Sequence, residues 1–238
     1  MNPGEYATMY HVEETHWWYR SLRGMLTQSM AAFPEDARVL DVGCGTGANM
    51  QALKITYGID YSTEAIAFCR ERTLSETAAA SATALPFASE SFDAAISCDV
   101  LCHHSIADKS QMLRESARVL RPGALLLLNL PAYSWLMSSH DEYVGTDRRF
   151  RKAEMPALLE EAGLEPIRMT YWNTAMFPLA AAVRTWRKFR PPRASDLAAG
   201  SGEMANGLLT TILRAERALT KMTPLPFGLS LMVLARKN

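Results

Sequence analysis

The chain has 238 residues, with 25 Lys and Arg against 25 Asp and Glu. That length accommodates one substantial core with elaborations and excludes two full-sized domains; the charge balance removes any global electrostatic pull toward nucleic acid or another polyanion. The cysteines Cys44, Cys69, Cys98 and Cys102 form no C-x-x-C pair, the polar and aromatic run over residues 1–20 is no secretory leader, and the apolar stretches fall short of the roughly 20 residues of a spanning helix, so a reduced cytoplasmic protein, at most peripheral to a membrane, is expected.

In chain order, residues 6–30 are expected to be one helix, with Val12, Trp17, Leu22, Met25, Leu26 and Met30 at three-to-four spacing and Phe33-Pro34 as its stop. Residues 38–42 are a short apolar strand running into Gly43, and 46–53 a helix. Residues 55–59 form a second strand closed by Asp60, and Ser62 is the N-cap of a helix over 63–74. A weak strand near 78–82 and a strong one at 92–97 follow. The helix 109–120 then ends at the turn Arg121-Pro122-Gly123, before the most apolar strand, 124–130. Beyond a polar and aromatic stretch lie a helix over 152–162 with Gly163 at C′, a strand at 165–171, a helical insertion within 174–222 and a last strand at 229–235. Alternating strands and helices imply an α/β fold with a doubly wound parallel sheet, which binds ligands outside the carboxyl ends of its strands.

Val39-Leu40-Asp41-Val42-Gly43-Cys44-Gly45-Thr46-Gly47 puts glycines where a strand turns sharply into a helix while its backbone approaches a ligand. Asp60, about 20 residues on, ends the next strand, where a carboxylate can accept both hydroxyls of an adenosine ribose. An adenosine-bearing cofactor is expected. Gly43, Gly45 and Ala48 also satisfy the loose pattern G-x-G-x-x-[GA], so a nicotinamide oxidoreductase competes. The ordered set Asp41-x-Gly43-x-Gly45-x-Gly47, Gly58-Ile59-Asp60-Tyr61-Ser62, Ala84-Leu85-Pro86-Phe87, Ser91-Phe92-Asp93 and Val119-Leu120-Arg121-Pro122-Gly123 resembles the class I, type 11-like S-adenosylmethionine-dependent methyltransferases across residues 38–130. The resemblance implies S-adenosylmethionine as cofactor and a Rossmann-like, mostly parallel seven-stranded sheet with an antiparallel last strand. It also implies a cofactor site of Asp41, Gly43, Gly45, Gly47, Asp60, Tyr61, Ser81, Ala82, Cys98 and Asp99. Ser81 stands where the family often has an acidic residue toward the adenine amino group, which implies that backbone groups and a hydroxyl hold adenine here.

The N-terminal helix is crowded with His11, Glu13, Glu14, His16, Trp17, Trp18, Tyr19, Arg20 and Arg23, more polar and aromatic groups than core packing requires. Its run Glu14-Thr15-His16-Trp17-Trp18-Tyr19-Arg20 is similar to a Glu-x-His-Trp-Trp-aromatic-Arg signature of one branch of the family. Residues 1–34 are therefore expected to be a lid, with His16, Trp17 and Arg23 on the cofactor, or with the tryptophans simply packed on the sheet. Residues 173–226 complete a helical cap over a core of 35–172 and 227–238. His103, after the fourth strand, is a base candidate, as is His104. His140 beside Asp141 is the first choice for deprotonating an acceptor, with Tyr19, Asn129, Tyr133 and Trp172 around it. No metal is expected, since Cys98, Asp99, Cys102 and His103 crowd one strand end and close no tetrahedron. Arg184, Arg187, Lys188, Arg190 and Arg193, beside Met176, Phe177, Trp186 and Phe189, make the insertion either a solvated face or one suited to an anionic membrane surface or an anionic or lipid-linked acceptor. The expected activity is methyl transfer to an oxygen or nitrogen of a small molecule, with no nucleic acid involved. The alternatives are cyclisation of the cofactor's own aminobutyryl part and nicotinamide redox chemistry.

Overall fold

The computed structural model describes residues 4–187 and 203–238. Among them the strands are β1 Val39–Val42, β2 Tyr57–Asp60, β3 Thr77–Ala79, β4 Phe92–Cys98, β5 Leu120–Pro131, β6 Leu164–Trp172 and β7 Ser230–Lys237. They make one seven-stranded sheet in the order β3-β2-β1-β4-β5-β7-β6. The pairs β1-β2, β1-β4, β2-β3 and β4-β5 are parallel, and β7 runs antiparallel between β5 and β6. The helices are α1 Glu5–Val12, α2 Trp17–Met30, α3 Ala48–Leu53, α4 Thr63–Glu71, α5 Lys109–Val119, α6 Ser139–Val144, α7 Met155–Glu161, α8 Phe177–Arg187 and α9 Glu203–Met222.

Both faces of the sheet are buried, which is why its central strands read as continuous apolar runs. Alternate residues divide between two cores. Leu40, Val42, Ala95, Leu126 and Leu128 pack with Met112, Leu113 and Leu159 from α5 and α7; Val39, Ala94, Ile96 and Leu127 pack with Leu26, Met50 and Ile66 from α2, α3 and α4. Strand order reverses between β1 and β4, so the carboxyl ends of β1, β2 and β4 open the crevice where such sheets take ligands.

Three expectations are corrected. The helix expected over 6–30 is broken at Glu13–His16, because the Glu13 side chain is drawn toward Arg72 and Thr46; α2 restarts with His16 Nδ1 accepting from Trp18 N at 3.3 Å. Arg121, Pro122 and Gly123 do not separate helix from strand but form the exposed start of β5, with a register shift opposite Phe92 and Ala94. The stretch after β5 contains α6, too short to show a hydrophobic period and started by a capping box between Ser138 and Asp141.

The N-terminal helices and the insertion form one layer. Gln28 Nε2 donates to Thr220 Oγ1 at 2.9 Å, Trp17 N donates to Asn206 Oδ1 at 3.2 Å, and the Arg217 guanidinium of α9 lies over Gly24 of α2. Glu216 Oε2 accepts from Thr174 N and Ala175 N, both at 2.9 Å, fixing the start of the insertion.

Candidate active site

β1 turns into α3 through Gly43 (φ 84°), Gly45 (φ 56°) and Gly47 (φ 83°). These left-handed conformations favour glycine, and space enforces the choice: a β-carbon on Gly43 would strike Val100, and one on Gly47 would strike Leu74. Gly43 and Gly45 line a cavity of about 1440 Å³, whereas Gly47 serves the packing of α3 against Cys69 and Leu74. Asp60 braces the loop, its Oδ2 accepting from Gly45 N and its Oδ1 from Ser62 N, each at 2.9 Å, and it lines the cavity together with Tyr61. Asp41, expected on the cofactor, lies behind the loop at 2% exposure, and its Oδ2 has no hydrogen-bond partner among the described residues. Burial and then the charge of Asp60 push its carboxyl up to about 8, so it is protonated at neutral pH. Ser81 and Ala82 reach the cavity wall, with Ser81 Oγ and Thr83 Oγ1 2.8 Å apart. A glycine-rich loop, a carboxylate at the end of β2 and a hydroxyl-bearing wall fit the methionine, ribose and adenine parts of S-adenosylmethionine.

The N-terminal helices are tied to this loop by residues with no signature in the sequence. Arg72, just after α4, donates from Nε to Thr46 O (3.1 Å), from Nη2 to Glu13 Oε1 (2.8 Å) and from Nη1 to Glu14 Oε1 (3.2 Å) and Gln51 Oε1 (2.8 Å). Its guanidinium lies 4.6 Å from the centre of the Tyr10 ring. Thr46 Oγ1 donates to the same Glu13 oxygen at 2.6 Å. Burial raises the Glu13 carboxyl above its usual range, against the lowering pull of Thr46 and Arg72. Tyr6 Oη donates to Asp60 Oδ1 at 3.2 Å, and burial followed by that carboxylate's charge pushes the phenol up. His16, Trp17, Trp18 and Tyr19 line the cavity, and Trp18 also stacks on Trp172 with ring centres 6.3 Å apart. Arg23 sits elsewhere than expected: its Nη2 donates to Glu13 O at 2.8 Å, holding the turn between α1 and α2 outside the cavity lining.

Toward the segment after β4, Cys98 and Asp99 line the cavity at the end of that strand. Three residues expected beside the acceptor stand behind its wall. Trp172 Nε1 donates to Asn129 Oδ1 at 2.9 Å and Asn129 Nδ2 to Asp99 Oδ2 at 3.0 Å, while Tyr133 stacks on Tyr171 with centres 5.1 Å apart. Bulky rings at strand ends were more useful to the core than to the cavity. His103 and His104 both line the cavity with ring centres 4.3 Å apart, and Gly145 (φ 82°) admits them, since a β-carbon there would run into both rings. Burial, with positive neighbours including Lys109, holds His103 at about 4, so its imidazole is neutral at pH 7.

The expected His140-Asp141 base is also revised. Both residues line the cavity, but Asp141 accepts from Ser138 N and Ser138 Oγ at 2.8 Å and from Arg149 Nε and Nη2 at 3.0 and 2.6 Å, with Arg184 Nη1 3.6 Å away. Its oxygens are committed to capping α6 and neutralising two guanidiniums. Apolar side chains also line the cavity: Met176, then Leu179, Ala180 and Val183 on α8, and Leu209 on α9. Among the described residues, no group of three or more His, Cys, Asp or Glu side chains is placed to hold a metal, and no helix is long and apolar enough to cross a membrane. The side chains of Trp186, Arg187, Lys188, Phe189, Arg190 and Arg193, on which the basic-surface expectation rested, lie outside the described residues. Arg184 turns inward, donating to Leu136 O at 3.0 Å.

A doubly wound sheet with a glycine loop at its switch point and a carboxylate ending β2 defines an α/β protein that holds an adenosine cofactor. Residues 40–128 match the family model described as Methyltransferase domain. The chain is 36% identical over 115 residues to the tRNA (carboxymethyluridine(34)-5-O)-methyltransferase ALKBH8 of Mus musculus, covering 47% of this chain and 17% of that one. It is 31% identical over 166 residues to methyltransferase GfsG of Streptomyces halstedii, covering 61% and 59%. In fold it is similar to an S-adenosylmethionine-dependent methyltransferase of Thermotoga maritima, with a TM-score of 0.61 and 19% identity over 99% of this chain and 96% of that one. The matches to ALKBH8 and GfsG thus span less than two thirds of either relative. Residues 40–128 thus resemble a methyltransferase domain that takes S-adenosylmethionine as its cofactor, which sets aside the nicotinamide reading of the loop.

Proposed function

We propose that the protein transfers the methyl group of S-adenosylmethionine to an oxygen or nitrogen of a small molecule. The observation that carries this reading is the size and continuity of the cavity. At about 1440 Å³ it exceeds the roughly 300–1,000 Å³ of an ordinary small-ligand pocket, and it runs from Gly43, Gly45 and Asp60 to His103, Val183 and Leu209. A site that consumed the cofactor intramolecularly would need no room for a second molecule. The name of ALKBH8 specifies tRNA, but a formal net charge of zero and a lid packed over the loop support a smaller acceptor for this chain.

The bound cofactor supplies a methyl group made electrophilic by a positively charged sulfur. The backbone of Gly43 and Gly45 and the carboxylate of Asp60 position it, Ser81 and Ala82 flank its base, and Tyr6, Met9, Trp17 and Tyr19 exclude water from above. Met176, Leu179, Val183 and Leu209 offer an apolar wall to the body of the acceptor. His103, neutral at pH 7, and His104 stand nearby to accept a proton at a ring nitrogen. Alignment and exclusion of water are then the principal catalytic contributions. Incubation with methyl-labelled S-adenosylmethionine and, in parallel, total tRNA or a metabolite extract tests the reading. Label is expected in the small-molecule fraction, and label in tRNA would overturn it.

A further inference from the structure

Asp99 stands where the cofactor loop and the acceptor wall meet. It lines the cavity beside Cys98 and Val100, and its carboxylate is aimed by the buried relay from Trp172 Nε1 through Asn129 to Asp99 Oδ2, whose two supporting side chains are 1% and 0% exposed. Trp18 of the lid stacks on the same Trp172. The titratable and charged groups facing Asp99 are Tyr19 from α2, Cys98 and Cys102 from its own strand end and turn, and Asp141 and Arg149 from the segment after β5. The Arg149 guanidinium is engaged by Asp141 at 2.6 Å. Among the described residues Asp99 therefore has a neutral amide as its hydrogen-bond partner and no ion pair. A carboxylate presented to a cavity without a cation of its own favours a ligand that brings one.

We infer that Asp99 is the residue by which the site distinguishes the positively charged sulfur of the methyl donor from the neutral thioether of the spent product, holding the first and releasing the second. This rests on the methyltransferase reading of the cavity. It assigns Asp99 to ligand discrimination, a step separate from transfer. Burial pushes its carboxyl up to about 7, against the lowering effects of Asn129 and Arg149, so the discriminating charge develops between about pH 6 and pH 8.

Calorimetry on the full chain at pH 6, 7 and 8 tests this with S-adenosylmethionine, S-adenosylhomocysteine and sinefungin, in which an ammonium replaces the sulfonium. The affinity ratio of either cationic ligand to S-adenosylhomocysteine is expected to rise about tenfold from pH 6 to pH 8 as Asp99 ionises. Asp99→Asn should abolish the rise while leaving S-adenosylhomocysteine affinity within about threefold of wild type. A wild-type ratio that does not move with pH overturns the inference whether or not the variant folds, and so does a rise that Asp99→Asn retains. Equal losses for all three ligands would place Asp99 on their shared amino-acid part and overturn it as well. Failure of the underlying methyltransferase reading is seen separately, as absence of S-adenosylhomocysteine binding by the wild type.

Discussion

Arg72→Ala isolates the attachment of α1 to the glycine loop. The contacts to Glu14, 54% exposed, and to Gln51 lie at the surface and together contribute about 0–1 kcal/mol. The interaction with Glu13 dominates, because both side chains are nearly buried, at 9% and 4% exposure, and removing the guanidinium strands a carboxylate that Thr46 alone cannot neutralise. Breaking one side of such a pair costs about 3–5 kcal/mol. A loss of about 3 kcal/mol corresponds to a fall in Tm of roughly 6–12 °C for a domain of this size. If the lid undocks at lower cost than the core unfolds, the penalty is relieved locally instead, and amide exchange in α1 accelerates while Tm moves less. Thermal melts and hydrogen exchange over residues 5–16 should therefore be read together. The double variant Arg72→Ala with Glu13→Gln should recover part of the loss, since no unpaired charge then remains. A Tm within about 1 °C of wild type with unchanged exchange in α1 would refute the reasoning.

Asp60→Ala removes the acceptor of Gly45 N and Ser62 N together with the expected partner of the ribose, and should weaken S-adenosylhomocysteine binding by about 2–3 kcal/mol, roughly 30–150-fold; calorimetry showing affinity within about twofold of wild type would put the ribose elsewhere. Gly145→Ala forces a β-carbon at φ 82° into the rings of His103 and His104, with an expected loss of about 1–2 kcal/mol from the backbone alone and shifted imidazole resonances; an unshifted spectrum would contradict the close packing. Asp41 has its carboxyl raised to about 8 from an ordinary 3.8, so its contribution to stability is complete below about pH 4 and is lost as pH rises toward 8. Asp41→Asn, which cannot ionise, should flatten the decline of Tm expected in wild type between about pH 4 and pH 8, and parallel declines in melts of the two proteins would count against a buried, protonated Asp41.

Ser62 shows what was legible without a fold: a hydroxyl residue between a strand end and a helical period, it caps α4 by accepting from Ala65 N. The glycine loop and Asp60 were legible for the same reason, since left-handed turns and a carboxylate at a strand end are written in adjacent residues. Tyr6 and Arg72 were not, because a hydroxyl more than fifty positions from Asp60, and an arginine as far from Glu13, become partners only when α1 lies across the loop. The opposite error befell Asp141, whose carboxylate beside His140 had the composition of a base until Arg149 and Ser138 claimed it.

The sequence by itself determined the sheet and the glycine loop and carboxylate at one end of it, because strand periodicity, glycine spacing and a terminal carboxylate act over short stretches of backbone. Which polar groups meet in the cavity was decided only by tertiary structure. Trp172, Asn129 and Asp99 lie on three strand ends, and β5 and β6 are separated in the sheet by β7, so their hydrogen-bonded relay exists only once the sheet has brought those ends together around the buried Trp172 ring.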